Sequence, residues 1–398
     1  MLVQIDATPN AGTTHPFFSA GFRPFFLLAG IEAALMVPAW LLLWLGGHAF
    51  NLSYPPVLWH GHEMLFGFGG AAVAGFLLTA VPNWTGAPPT TGKPLMALAG
   101  IWLAARITFD LGGLLAPLIA AVPAVLFFPC LALMLAKPLL AAKKPRNLVF
   151  LLVLGVLTLA EALVLAEMQG WGSLGRNGLL LGCFVLLLMI AIIGGRIIPG
   201  FTANGLRQQG IVVTPKSYPL LEKAAIGSLA VTGLAWTIMP DRPLAGGLAF
   251  AAAALNAARL PGWHGWKTAR LPLLWVLHMG FAWLPLGLAL LGLSCFLPAL
   301  PMAMALHGLT VGCIGLMILG VMSRAALGHS GRSLTPHRLT IAAFGSIALA
   351  AVIRTFGPLY DPETALLTSG ILWSVGFALY ATIYAPICFT PRADGRAG

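Results

Sequence analysis

Apolar stretches of about 20 residues follow one another along almost the whole chain, and nothing else in the sequence restricts the fold so strongly. At 1.5 Å of rise per residue, a helix of that length crosses the ~30 Å hydrocarbon layer of a bilayer. We read twelve such runs, at 24–46, 58–81, 95–113, 117–136, 148–168, 177–198, 220–239, 243–258, 271–292, 299–322, 338–356 and 365–388. The eighth is short and alanine-rich. Only 8% of the residues are charged, against about 25% in soluble proteins, which excludes a soluble globular enzyme. The expected fold is all-α: a polytopic transmembrane helix bundle of about twelve spans, forming a single domain over residues 1–398. The first run has full length and follows 22 polar residues, so it is expected to stay as a helix and not to be cleaved as a signal peptide. The longest connection, 199–219, is too short for a soluble domain.

The formal charge of +11 tempts a nucleic-acid reading, which the placement of the charges refutes. In a twelve-span layout Lys93, Lys137, Lys143, Lys144, Arg146, Arg196, Arg207, Lys216, Arg259, Lys267, Arg270, Arg324, Arg332, Arg338, Arg392 and Arg396 all fall on one side. The opposite loops offer little beyond Arg176 and Arg242. This positive-inside asymmetry puts the segment 1–23, the tail 389–398 and hence both termini in the cytoplasm. The five cysteines are scattered over separate spans, with no Cys-x-x-Cys and no Cys-x-x-Cys-His for covalent haem attachment. They read as small buried hydrophobes, and any haem would be of the b type.

Residues 59–67, Trp-His-Gly-His-Glu-Met-Leu-Phe-Gly, place four ligand-type groups at the mouth of an apolar helix. These are His60, His62, Glu63 and Met64. An ionisable group costs roughly 2.5–3.5 kcal/mol at the centre of a membrane helix, so the cluster suggests a site for metal, haem or protons. On a regular helix His60, Glu63 and Met64 share one face and His62 points about 200° away. An interfacial histidine pair bonded to headgroups is the alternative. Further along, His278 and His307 lie inside the ninth and tenth runs. Counted from span midpoints, His62 sits ~10 Å and His307 ~6 Å toward the outer face, and His278 ~6 Å toward the cytoplasm. A centre between the second and tenth spans is thus allowed, with His278 belonging to it or to a second one. Imidazole binds haem iron and copper alike, and Met64 suits copper. His329 and His15 stand behind these as further candidate ligands.

Two cytoplasmic helix ends look alike, Gly195-Arg196-Ile-Ile-Pro-Gly200…Asn204 and Ser323-Arg324-Ala-Ala-Leu-Gly328-His329. Guanidinium forks bind carboxylates bidentately, so Arg196 and Arg324, with Asn204 and with Arg23 ahead of the first span, are candidates to hold haem propionates. Plain positive-inside anchors are the competing reading. Arg106 and Asp110, spaced i, i+4, are expected to neutralise each other. Glu32 and Glu161 have no local partner; with Glu63 they are candidate proton-relay groups or simply accept hydrogen bonds from neighbouring helices.

Several of these segments together carry a family resemblance: His15-Pro-Phe-Phe…Gly21-Phe-Arg-Pro-Phe-Phe26, Trp59–Gly67, Ala80-Val-Pro-Asn-Trp-Thr-Gly86, Gly195–Asn204, Leu273-Leu-Trp-Val-Leu-His278 and Gly328-His-Ser-Gly-Arg332. Across essentially its whole length the chain resembles the NnrS family of bacterial membrane proteins. The resemblance implies haem and copper in the cytoplasmic (inner) membrane, and a role in nitric oxide metabolism or protection from nitrosative stress. Nitric oxide or a nitrosylated species would be the partner, with an electron donor if the protein is an enzyme, an oxidoreductase reducing nitric oxide to nitrous oxide. Haem–copper oxidases share the expected span count, but the His-Pro-Glu helix, the adjacent His-His pair and the late His-x-His are all missing here. A transporter or channel for copper or a nitrosylated metal complex is the alternative, although the loop Pro82–Pro94 lacks the Gly-x-x-x-Asp-Arg-type motif of major-facilitator transporters.

Overall fold

The computed structural model describes residues 15–46, 55–110 and 117–396. Residues 1–14 of the expected N-terminal segment, His48, the end of the third apolar run and the last two residues of the tail lie outside them. The described chain forms twelve long helical rods. They are α1 (Phe22–Gly46), α2 (Pro56–Thr85), α3 (Lys93–Asp110), α4 (Pro117–Ala141), α5 (Pro145–Met168) and α6 (Gly175–Gln208), then α7 (Pro219–Ile238), α8 (Pro243–Arg259), α9 (Pro272–Ser294), α10 (Met302–His329), α11 (Arg338–Phe356) and α12 (Pro362–Phe389). Ten are long and apolar enough to cross a membrane, which makes this a multi-pass membrane protein. The other two, α3 and α7, occupy the third and seventh apolar runs. Helix α3 carries Lys93, Arg106 and Asp110 within 18 residues; ten of the expected twelve spans are thus supported by length and composition among the described residues.

Local chemistry sets the rod ends. Proline opens α2, α5, α7, α8, α9 and α12, where its missing N–H loses no helical bond. Asp361 caps α12 by accepting from the amides of Glu363 and Thr364, both at 3.2 Å, and the Thr364 hydroxyl together with those amides holds its carboxyl below the usual range. Gly86 ends α2 with φ +76°, a left-handed conformation that costs glycine nothing.

Packing follows one rule three times. In the groups α1–α4, α5–α8 and α9–α12, the first helix packs along the second and the third along the fourth. The fourth then packs along the first helix of the next group: α4 on α5, α8 on α9, and α12 back on α1. The ring closes. Its three second helices, α2, α6 and α10, touch one another at the centre and are the most buried of the spans. A trace of this repeat is readable once the register is known. Ala224-Ala-Ile-Gly-Ser-Leu-Ala230 in α7 matches Ala342-Ala-Phe-Gly-Ser-Ile-Ala348 at the same position in α11.

The closing contact is polar. Arg23, fully buried at the start of α1, donates through Nη1 to the carbonyls of Ile387 (3.2 Å), Cys388 (3.0 Å) and Thr390 (2.6 Å) at the end of α12. Both described ends of the chain therefore lie on one face of the bundle, here called the terminal face.

Small residues set the helix separations. A methyl added at Gly178 of α6 would lie 2.5 Å from the carbonyl oxygen of Ala160 in α5, and a backbone atom cannot rotate away. Gly178→Ala is expected to cost about 1–3 kcal/mol through overpacking. Gly100→Ala, exposed on α3 with nothing within 4 Å, should be neutral or stabilise by about 0.5–1 kcal/mol. Thermal unfolding of both variants in detergent checks the pair; equal midpoints would contradict the packing described.

Candidate functional site

Two of the three central helices widen just after a histidine. Glu63–Phe68 of α2 and Gly308–Gly315 of α10 are π-helical, beginning directly after His62 and His307. Such wide turns add a residue to the helical circuit and recur at functional sites. Glu63 pairs with its neighbour His62, whereas helical spacing alone groups it with His60 and Met64.

One side of α2 carries a buried polar network. The His62 imidazole, stacked on Phe109 at 4.0 Å, has Nδ1 2.9 Å from Glu63 Oε1 and Nε2 3.2 Å from Glu161 Oε1, the second contact poorly aligned for a hydrogen bond. Arg106 donates to Glu63 Oε2 at 2.7 Å. Glu32 of α1 joins them: a methyl on Gly67 would collide with Arg106 Nη1, Glu32 Oε1 and Glu63 Oε2 together. Asp110 sits at the edge, accepting from Trp59 Nε1 at 3.3 Å. The i, i+4 pairing expected of Arg106 and Asp110 therefore gives way to Arg106–Glu63, because α2 brings a carboxylate closer. Glu32 and Glu161, partnerless in the sequence, find their company here. Four carboxyl groups meet one guanidinium and one imidazole. Full ionisation would leave net negative charge away from water, which is prohibitive, so the network holds protons.

The other side of α2 faces a cavity of about 470 Å³. His60, Met64, Met302, His307, Arg176 and Arg354 are its polar or polarisable lining; the rest is mainly apolar, including Trp40 and Trp373. His60 stacks on Trp40 at 4.6 Å, and its Nδ1 is buried without a hydrogen-bond partner among the described residues. His307 Nδ1 lies 2.6 Å from the Ala303 carbonyl, so Nδ1 carries the proton and Nε2 keeps its lone pair. Arg176 is paired with Asp241 at 2.6 Å. A second, smaller cavity of about 70 Å³ lies among α1, α2, α6 and α10, lined only by Phe, Ala, Val, Leu, Met, Ile and Gly; Ile314 borders both.

The remaining sequence candidates sit elsewhere. His278 Nε2 lies 2.8 Å from Thr202 Oγ1, and Thr202 is 26 residues along α6 from Arg176, or about 39 Å of rise. His329, 22 residues from His307, is about 33 Å away along α10 by the same measure and packs near Phe22. His15 accepts from the amide of Phe17 at 3.2 Å, capping the short turn Pro16–Phe18. Arg324 stacks over Phe201 at 4.2 Å, Arg196 and Asn204 are exposed, and Arg23 serves the α12 carbonyls. All of these are on the terminal face, remote from the cavity. Among the described residues no group of three or more His, Cys, Asp or Glu side chains could hold a bare metal ion.

The family model described as NnrS protein matches residues 16–392. The chain belongs to the NnrS family. Membership fits a membrane protein linked to nitric oxide. No curated protein matches the chain.

Sequence reasoning does not reach Arg354. The signal that points to it is its position: it ends α11 away from the terminal face, where the charge asymmetry leaves only Arg176 and Arg242. The network generates a test. Arg106→Met strands the Glu63 carboxylate and is expected to cost about 3–5 kcal/mol. Asp241→Asn, which breaks the exposed pair with Arg176, should cost about 0–1 kcal/mol. Thermal unfolding in detergent compares the two, and Arg106→Met with Glu63→Gln should recover part of the loss.

Proposed function

We propose that this NnrS-family protein binds haem b in the 470 Å³ cavity, in the bacterial cytoplasmic membrane, and serves nitric oxide metabolism and protection from nitrosative stress. The observation that carries the reading is one mainly apolar chamber holding two imidazoles, the thioethers of Met64 and Met302 and two arginines. The residues fit the group. His60 has an orphaned buried nitrogen, His307 has its Nε2 lone pair free of the Ala303 bond, and Trp and aliphatic walls suit a flat apolar macrocycle. Bound haem would supply an iron able to take imidazole and a diatomic gas. Copper would find the imidazoles of His60 and His307 and the thioethers of Met64 and Met302 in the same cavity, without a third His, Cys, Asp or Glu among the described residues.

The chain's own residues then have distinct tasks. His60 and His307 would hold the metal, and the apolar walls would exclude water. Nitric oxide, small and apolar, partitions into the bilayer and into the wholly apolar cavity beyond Ile314. We further propose reduction: two nitric oxide molecules, two electrons from a one-electron donor and two protons give nitrous oxide and water. The Glu63–His62–Glu161–Glu32 network, one helix away, is the proton store. A transporter of copper or of a nitrosylated complex is less well supported, since the cavity beyond Ile314 offers no imidazole, thiolate or carboxylate, only the thioethers of Met189, Met317 and Met322.

Absorption spectra test this. Protein from haem-replete cells should show a Soret band that His60→Ala or His307→Ala removes or shifts. His278→Ala, Arg196→Lys and Arg324→Lys should leave it unchanged. A colourless wild type, or metal-dependent flux in proteoliposomes, would remove the haem reading.

A further inference from the structure

We infer that Arg354 is the anion anchor of the cavity, binding a carboxylate of the ligand that fills it. For a haem this is a propionate, so the inference rests on the haem reading above and deepens it.

The argument is one of charge. Arg354 lines a chamber whose lining contains no Asp or Glu. Among the described residues it makes no hydrogen bond and no ion pair. The buried arginines are all served, Arg106 by Glu63, Arg259 by Glu222 at 2.6 Å and Arg23 by three carbonyls, and Arg324, half-buried as Arg354 is, has the ring of Phe201 against it. The second arginine of the cavity, Arg176, already has Asp241. A guanidinium does not shed its proton in proteins, and an unpaired charge away from water is expensive. Half-buried and unpaired at the cavity wall, Arg354 is placed to draw its counter-charge from a ligand there. The location agrees, because Arg354 is near enough to both His60 and His307 to act on them electrostatically. One ligand can therefore meet imidazole and guanidinium at once. The planar fork of arginine suits a carboxylate, donating to it through two parallel bonds.

The placement also replaces the anchor expected from sequence. Arg196 and Arg324 are about 30 and 25 Å of helix rise from the cavity residues Arg176 and His307 on their own helices. They cannot reach a group held between His60 and His307.

The test changes the ligand as well as the protein. Full-length protein is purified from haem-deficient cells and titrated with haem b and with its dimethyl ester, in which both carboxylates are blocked. Soret absorbance and tryptophan quenching report binding. Wild type should prefer the free acid by about tenfold to a hundredfold, the range of a lost charge-assisted bond. Arg354→Gln should bind both forms about equally, with Arg354→Lys in between. Equal affinities in wild type, which need no variant to fold, would overturn the anchor while leaving the haem reading intact. Retained discrimination in a monodisperse Arg354→Gln protein would do the same. Wild type that binds neither porphyrin overturns both.

Discussion

A carboxylate and a guanidinium 2.7 Å apart, Glu63 and Arg106, hold the centre of this molecule to its edge. Removed from water, each is tolerable only because of the other, and their bond fixes the rotation of α2 against α3. With that rotation set, His62 turns toward Glu161 of α5, and Glu32 closes the group from α1. The same rotation leaves His60 and Met64 on the opposite side, lining the cavity. A polar network and an apolar chamber thus share one wall, and that wall is a single helix.

The wide turn of α2 begins at Glu63, where the polar network on one side of the helix and the apolar chamber on the other are back to back. Trp102 donates to the carbonyl of Gly67 at 3.1 Å, satisfying backbone within the irregular stretch. On α10 the corresponding stretch is lined by glycines against aromatic rings: Gly312 lies under Trp283 and Gly315 under Trp373. In both places irregular backbone is buried in protein and shielded from lipid, the condition under which membranes tolerate it.

Helix existence was legible from hydrophobic length alone, and each apolar run coincides with a helix. The nine-residue segment Trp59–Gly67 and the tenth-run histidine His307 were also visible as a joint candidate, because polar groups in apolar runs stand out. Other features were not. The threefold packing is masked by weak similarity among apolar sequences, and it surfaces in a seven-residue match only after the helices are aligned in space. Arg106 was assigned to Asp110 because spacing along one helix is readable and approach between helices is not. Arg196 and Arg324 drew attention through matching sequence around them, yet α6 and α10 carry them to the terminal face. Arg354 has no such motif; its place at the sparsely charged end of α11 and the contour of the cavity reveal it.

The closed ring has a consequence for how the molecule is made. Helices enter the bilayer in order of synthesis, so α1 arrives first, and the helix that covers one of its flanks is the last to be delivered. Arg23 and the carbonyls it meets are 364 to 367 residues apart in the chain. Until translation is nearly complete, the bundle is an open arc with a polar seam facing lipid or an insertion chaperone. A chain that stops short of α12 would therefore leave the ring unsealed, since the partners that close it on α1 belong to its last helix.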